Sequence, residues 1–150
     1  MKKRRGSKKL ILSVLMAVIV ISAAAYFLYP GKPYRIGVLL DLTGPDAIDY
    51  DEVLGWASGH INSAGGIGGR KIELVYKDTY NADAKALAQE LIDDKSIKIV
   101  IGAGMSETAA VVAPMFIDAK KLLISPSATS GDLFRMFAKE KFFWRANMGH

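Results

Sequence analysis

The chain has 150 residues, enough for one domain of ordinary size and too few for two. Half of the residues are apolar (51%) and 23% are charged, which is typical of a globular protein rather than a disordered one. There is no cysteine, and the histidines are His60 and His150, so the composition excludes disulfide scaffolds, thiolate zinc sites and cysteine nucleophiles and disfavours a histidine-rich metal site or a Ser-His-Asp triad.

The positive charge of the chain is concentrated at its N-terminus. Residues 1–30 contain six basic residues and no acid, whereas residues 31–150 contain 14 Lys+Arg against 15 Asp+Glu, a net charge of −1. Because the predicted folded part is close to neutral, the main electrostatic argument for nucleic-acid binding is removed.

The N-terminal segment resembles an export or anchor signal. Residues 1–9 form a basic flank expected to be cytoplasmic, and residues 10–29 are uncharged. A helix of that length spans about 30 Å, the thickness of a bilayer core, so we predict a transmembrane or signal helix. Ala23–Ala25 offers a cleavage site, whereas the aromatic run 26–29 favours an uncleaved membrane anchor. Residues 30–33 form a linker to the domain at 34–150.

The rest of the chain alternates between patterns typical of strands and of helices. Strands are predicted at 34–40, 71–77, 97–102, 122–125 and 142–145, the second at or near a sheet edge, and helices at 51–63, 82–94, 107–119 and, as one or two turns, within 133–139. Asn81 and Ser106 are the predicted N-caps of the second and third of these helices, and Pro114 is expected to bend or interrupt the third.

This alternation predicts an α/β fold, a doubly wound parallel sheet with helices on both faces. In such sheets ligands bind beyond the C-terminal ends of the strands, where the strand order reverses. We therefore expect a site formed by loops 41–50, 103–106 and 126–131.

The three loops are rich in small hydroxyl residues. Ser106 opens a helix, whose free N–H groups and dipole attract an anion, and Ser127, Thr129 and Ser130 follow the fourth strand. Together they are suited to hold a carboxylate without an arginine. The alternative is that Ser106 is only an N-cap and the other serines are only turn residues. Tyr50 is predicted either to line the pocket or to be a half-packed loop side chain.

Enzymatic and nucleotide-binding functions are not indicated. The glycine patterns at 66–71 and 102–107 lack the third glycine of a dinucleotide loop, and neither carries the Lys-Ser/Thr of a P-loop. His60 is expected on a helix surface, away from the loops. The sequence predicts no catalytic group, no metal site and no cofactor.

Several short motifs, taken together, resemble those of type I periplasmic solute-binding proteins, in the leucine/isoleucine/valine-binding branch of ABC transporters. The resemblance covers 34–148, and its motifs in order are residues 36–45, 61–72, 100–102, Ser106, 124–129 and 142–145. It implies two lobes that close over a ligand, an extracytoplasmic location and delivery of the ligand to an ABC permease. It also implies that the ligand carboxylate is held by Ser106, Ser127, Ala128 and Thr129.

Two features depart from the family pattern. The stretch between Pro45 and Ile61 is about three residues shorter than usual, which leaves Tyr50 as the best candidate for the aromatic residue that packs on the ligand. The chain also ends at His150, before a second lobe, so the resemblance implies a truncated chain, the product of a broken gene or a fragment of a longer two-lobed protein. Two functions remain open, a solute-binding protein of an amino-acid importer and a membrane-tethered ligand-sensing domain of a receptor.

Overall fold

Helices and strands alternate along the residues that the computed structural model describes, which are 4–28, 31–45, 47 and 49–147. The elements in chain order are α1 Arg4–Leu28, β1 Tyr34–Leu40, α2 Tyr50–Ser63, β2 Ile72–Asp78, α3 Ala84–Asp93, β3 Ile97–Gly102, α4 Ser106–Asp118, β4 Leu122–Ser125, α5 Gly131–Phe137 and β5 Phe143–Arg145. The predicted bounds of the strands agree with these to within one residue.

The strands form one parallel sheet in the order β2-β1-β3-β4-β5. The predicted parallel sheet is thus confirmed, and β2 lies at an edge as expected. The chain builds outward from β1 first on one side, through β2, and then on the other, through β3. The strand order therefore reverses between β1 and β3, which is where the ligand loops were expected.

The main core lies on one face of the sheet, beneath α3 and α4. Leu39, Val100 and Leu123 project from the central strands into this core, together with Leu91 of α3 and Phe116 of α4. Gly37 brings α3 close to the sheet, since a Cβ there would lie 3.2 Å from the Leu91 side chain.

α2 lies on the opposite face. Tyr76 of β2 is the register partner of Val38, so both side chains point to the face away from Leu39. The Tyr76 hydroxyl reaches the Asp51 carbonyl of α2 at 3.4 Å, which confirms helices on both faces. Beyond α2 this face is not fully covered, and Ile99 and Trp144 are 38% and 61% exposed.

Two local predictions about helix caps are wrong. Asp83, not Asn81, caps α3, accepting hydrogen bonds from the N–H groups of Lys85 and Ala86, because Asn81 adopts a left-handed turn with φ of 52°. Ser106 is the first residue of α4 rather than its cap, since Met105 holds the extended N-cap conformation.

Of the two outcomes predicted for Pro114, a bend or an interruption, the interruption does not occur, and α4 runs through this residue continuously. Proline removes one backbone hydrogen bond from a helix. Pro114 lies on the exposed side of α4, where water can satisfy the carbonyl that this leaves free, whereas Val112, Ala113 and Phe116 hold the helix on the core.

One lysine is buried at the end of the sheet where the strands begin. The Lys121 ammonium donates to the carbonyl oxygens of Leu91 and Asp94, at 2.9 and 2.7 Å. It thereby satisfies carbonyl groups at the C-terminus of α3. Burial, aided by repulsion from Lys98 and Lys95, lowers the pKa of Lys121.

The N-terminal segment is helical, as predicted, from Arg4 to Leu28. Within the described residues, however, no helix combines the length and apolar character needed to cross a membrane. The membrane-spanning part of the prediction for residues 10–29 is therefore not supported by the structure. Residues 1–3 of the predicted flank, Tyr29 at the end of the apolar run, Pro30 of the predicted linker and the last residues 148–150 lie outside the described residues.

Candidate functional site

The predicted loops meet at the end of the sheet where β1, β3 and β4 finish. The turn from β3 into α4 is the tightest part of this region. Gly102 has φ of 155°, and a Cβ there would lie 2.3 Å from the carbonyl oxygen of Leu39 at the end of β1. Only glycine fits, so Gly102 sets how closely the loop from β3 approaches β1.

The end of β4 is joined to this turn by a buried serine. The Ser125 hydroxyl donates to the Ala103 carbonyl at 2.6 Å and accepts a hydrogen bond from the Ala128 N–H at 3.2 Å. Ser125 and Ala128 are fully buried, and Ala103 nearly so. Ser125 therefore holds loops 103–106 and 126–131 in one arrangement.

Tyr50, at the start of α2, reaches across to Ser127. The Ser127 hydroxyl donates to the Gly104 carbonyl at 2.9 Å, and its oxygen lies 2.7 Å from the Tyr50 hydroxyl. Because the single proton of Ser127 is used by Gly104, Tyr50 is the donor of this second bond. The three predicted loops thus meet around Gly104, through a Tyr50–Ser127 contact that the sequence did not predict.

Ser106 and Thr129 have hydroxyl groups with donor capacity to spare. The Ser106 oxygen accepts the N–H of Ser130 at 3.1 Å, which leaves its own proton to donate. Thr129 is exposed, and its hydroxyl bonds to no residue that the structure describes. The site residues named from the sequence therefore lie on neighbouring loops, and their role as ligand contacts remains a prediction.

Arg145, at the end of β5, is hydrogen-bonded to the backbone of the loop after β4. Its guanidinium donates to the carbonyl oxygens of Ser130 at 2.9 Å and Ala128 at 3.4 Å. The sequence predicts Arg145 only as the last residue of a strand. Its contacts fix the backbone that carries Thr129.

Asp78 organises the first loop and was also missed. Its carboxylate accepts hydrogen bonds from the Leu42 N–H at 3.0 Å, the Thr43 hydroxyl at 2.5 Å and the Tyr80 N–H at 3.0 Å. The Thr43 hydroxyl first, and then these N–H groups, lower the pKa of Asp78. A carboxylate directly after an edge strand was the one signal that could have indicated this role.

We expect Asp78→Asn to lower the stability of the domain at pH 7 by about 1 kcal/mol, because the amide keeps only part of these bonds. Because the pKa of Asp78 is lower in the folded protein, its carboxylate stabilises the fold fully at pH values above the pKa of an ordinary aspartate. This stabilisation is lost as the pH falls through the pKa of Asp78 in the folded protein. Urea unfolding of both proteins at pH 7, 4 and 3 should therefore show the difference shrinking below about pH 4.

Thr43→Val is the control for this experiment, since it removes one donor and leaves the carboxylate. The free energy of unfolding of Thr43→Val should still fall between pH 4 and pH 3, whereas that of Asp78→Asn should fall less. An equal fall in Asp78→Asn and in the unmodified protein would show that another group causes the loss of stability in acid.

The site contains little that would suit a metal or an acid–base reaction. No cluster of three His, Asp or Glu side chains able to hold a metal ion occurs among the described residues. His60 is exposed on α2 and stacks on Trp56 with ring centroids 5.7 Å apart, far from the loops in sequence. What the loops present are hydroxyl groups and backbone N–H groups.

Comparison with known families decides which group this fold belongs to. A periplasmic binding protein family model matches residues 33–143, most of the chain. The chain belongs to the periplasmic binding protein family. The resemblance found in the sequence motifs is thereby confirmed for the part of the chain that it covered.

Curated relatives of this periplasmic binding protein include leucine/isoleucine/valine-binding proteins. A Leu/Ile/Val-binding protein homologue of Brucella melitensis is 32% identical over 130 residues, 83% of this chain and 34% of the relative. A chemotactic signal transduction substrate-binding protein of Halobacterium salinarum is 32% identical over 108 residues, 67% of this chain and 26% of the relative. The chain spans about a third of the length of the first relative and about a quarter of the second.

Solved structures of substrate-binding proteins share the fold. One from Desulfitobacterium hafniense, determined with Leu, is 30% identical with a TM-score of 0.71, over 79% of this chain and 35% of that one. Another, from Streptococcus pneumoniae, determined with isoleucine, is 28% identical with a TM-score of 0.68, over 79% of this chain and 34% of that one. This periplasmic binding protein thus matches about a third of each solved chain.

Proposed function

We propose that this protein is the extracytoplasmic solute-binding component of an ABC importer, with an amino acid, branched-chain or other, as its ligand. The observation that carries the proposal is the pair of donor hydroxyls on Ser106 and Thr129, next to the N-terminus of α4. The ABC permease would be its partner, and no cofactor or catalysis is involved.

The chemistry of the loops favours a carboxylate. The first N–H groups of a helix have no partner within the helix, and α4 is a 13-residue helix whose first turn begins at Ser106. These N–H groups, the helix dipole and two neutral hydroxyls stabilise a negative charge without a counter-ion. The neighbouring loop after β4 contributes Ala128, whose N–H donates to Ser125, and Ser127, which is hydrogen-bonded to Tyr50.

The ligands named for the related structures support this class. Besides Leu and isoleucine, structures at 25% identity were determined with 4-hydroxybenzoate and with 3,4-dihydroxy benzoic acid. All four molecules carry a carboxylate, and their side groups differ widely. The part of the site that this chain supplies would therefore bind the shared carboxylate, and amino-acid selectivity would depend on the first loop and on protein beyond this lobe.

The double variant Ser106→Ala, Thr129→Ala tests the proposal. Hydrogen bonds to a charged group are worth about 1.5–3 kcal/mol each, so the dissociation constant for leucine should rise about a hundredfold or more. Isothermal titration of the entire protein with leucine, isoleucine and valine measures this, and the melting temperature reports folding separately.

Ser63→Ala is a matched control, because its hydroxyl bonds only to the His60 carbonyl within α2. It should leave both the affinity and the melting temperature unchanged. Unaltered affinity in the double variant, with a folded protein, would refute the carboxylate site.

A second function, a ligand-sensing domain, is favoured by one relative. The Halobacterium protein is described as a substrate-binding protein of a chemotactic signal transduction system. A receptor partner would replace the permease in that case. Crosslinking the protein in its own cell and identifying the captured membrane partner by mass spectrometry distinguishes the two, since an importer permease and a signal transducer differ in sequence.

We also propose that the segment containing residues 10–29 directs export. Support comes from the basic flank before it and from the apolar residues of α1, of which Leu10 and Ile21 are among the exposed ones. An intact mass of the protein from its own cell tests this. Loss of the residues before Tyr26 would mean a cleaved signal and a free binder, whereas their retention would mean that the segment stays attached.

A further inference from the structure

The charges of the folded part are separated along the strand direction, although they nearly cancel in sum. Because all five strands are parallel, the segment before each strand lies at one end of the sheet, defined here as the basic end. An exposed lysine precedes each strand. Across the sheet these are Lys71, Lys32, Lys95, Lys120 and Lys141.

Neighbouring acids offset the charge of the basic end only in part. Glu73 and Asp94 are paired with Arg35, and the other exposed carboxylates there, Asp93, Asp118 and Glu140, are fewer than its exposed lysines. Each of the five lysines lacks an ion pair within the part of the chain that the structure describes. Lys98 and Lys139 are exposed beside them and add to the same surface.

The opposite end, which carries the candidate ligand site, is acidic. Its exposed carboxylates lie in loops and first helical turns, and they are Asp49, Asp51, Glu52, Asp83, Glu107 and Asp132. Acids at helix starts and lysines just after helix ends stabilise the helix dipoles, which accounts for Lys95 and Lys120. Stabilisation of helix dipoles does not account for Lys71, which lies eight residues beyond the end of α2, or for Lys98 within β3.

We propose that the basic end is an interaction surface for a bilayer carrying anionic lipid headgroups. Adjacent strands are about 4.8 Å apart, so the five lysines form a row roughly 20 Å wide. A row of flexible ammonium groups spread over this width suits an extended anionic surface, within a Debye length of about 8–10 Å.

The path of the chain favours a bilayer over another polyanion. α1 ends at Leu28 and β1 begins at Tyr34, so the apolar helix is joined to the domain at the basic end. The described large side chains from Leu10 to Ile21 are all more than half exposed. Arg70 fixes this junction, since its guanidinium lies 3.8 Å from the Tyr34 ring centroid and donates to the Lys32 carbonyl at 2.6 Å.

The orientation of the full chain on vesicles tests the proposal. The absence of cysteine allows one donor dye to be placed at Ala138→Cys, on the basic end, or at Ala82→Cys, on the acidic end. The two ends are roughly 25 Å apart, since strands rise about 3.3 Å per residue. Energy transfer is measured to headgroup-labelled lipid in phosphatidylcholine vesicles with and without phosphatidylglycerol.

With phosphatidylglycerol, transfer from position 138 should exceed that from position 82 about twofold or more, because the basic end then faces the lipid. The difference in energy transfer should vanish in each of three cases. These are vesicles without phosphatidylglycerol, anionic vesicles in about 0.5 M salt, and anionic vesicles with the variant Lys71→Glu, Lys120→Glu. The control Lys77→Glu, Lys85→Glu makes the same change in net charge near the end of β2 and the start of α3, away from the basic end, and should retain the difference.

Equal transfer from the two positions on anionic vesicles would overturn the proposal. So would a difference that persists in high salt and in Lys71→Glu, Lys120→Glu, because the attachment of α1 would then explain it without the lysines. The proposal does not depend on the ligand site, so leucine titration of the same samples reports separately on the proposed function.

Discussion

Gly102→Ala should unfold the domain at a much lower temperature than the unmodified protein. The new methyl group would lie 2.3 Å from the Leu39 carbonyl, a backbone atom that cannot move without disturbing β1. Overpacking costs about 1–3 kcal/mol, and a positive φ adds about 1–2 kcal/mol for a residue with a side chain. We therefore expect a loss of about 3 kcal/mol or more, measured by thermal and urea unfolding.

Gly55→Ala provides the matched control for this substitution. Gly55 lies inside α2, and an added Cβ would meet nothing within 4 Å. Alanine is favoured over glycine in a helix by about 0.5–1 kcal/mol, so this variant should gain stability. If both variants behaved alike, the close approach of β3 to β1 at Gly102 would be disproved.

Ser125→Ala should cost both stability and ligand affinity. The substitution leaves the Ala103 carbonyl and the Ala128 N–H without their buried partner. Each unsatisfied buried group costs about 1–3 kcal/mol, so the free energy of unfolding should fall by about 2–4 kcal/mol. In the folded fraction, leucine affinity should fall about tenfold, because the loop carrying Thr129 loses its anchor.

Ser58→Ala is the control here, since that hydroxyl donates only to the Gly55 carbonyl of its own helix. Its effect should stay within about 0.5 kcal/mol. Calorimetric titration and urea unfolding of the three proteins give both quantities. A Ser125→Ala protein with normal stability and normal affinity would show that the bonds of Ser125 do not hold the loops together.

Much of the fold follows from local patterns in the sequence. The strands at 34–40, 97–102 and 122–125 were predicted with their observed bounds, because short apolar runs bounded by turn residues specify a buried strand locally. The errors were at helix ends, where Asp83 rather than Asn81 caps α3. Two polar residues that are two positions apart compete there, and the backbone conformation of the turn decides between them.

The candidate site was predictable as a set of loops and not as a set of bonds. Loops 41–50, 103–106 and 126–131 follow from the parallel order of the strands, which places their C-terminal ends together. The roles of Ser125, Asp78 and Arg145 were not predicted, because each joins segments that are distant in the chain. Ser125 bonds to Ala103, Asp78 to Leu42 and Arg145 to Ser130, which are 22, 36 and 15 residues away.

The sequence by itself determined the order of the elements, the parallel sheet and the loops that border the site, since each depends on residues close together in the chain. Only the tertiary structure decided that Tyr50 meets Ser127, 77 residues away, and that the Ser106 oxygen is taken by Ser130. It also decided that a nearly neutral domain has one basic and one acidic end. Composition counts charges, whereas the parallel topology places the residues before every strand at one end and those after it at the other.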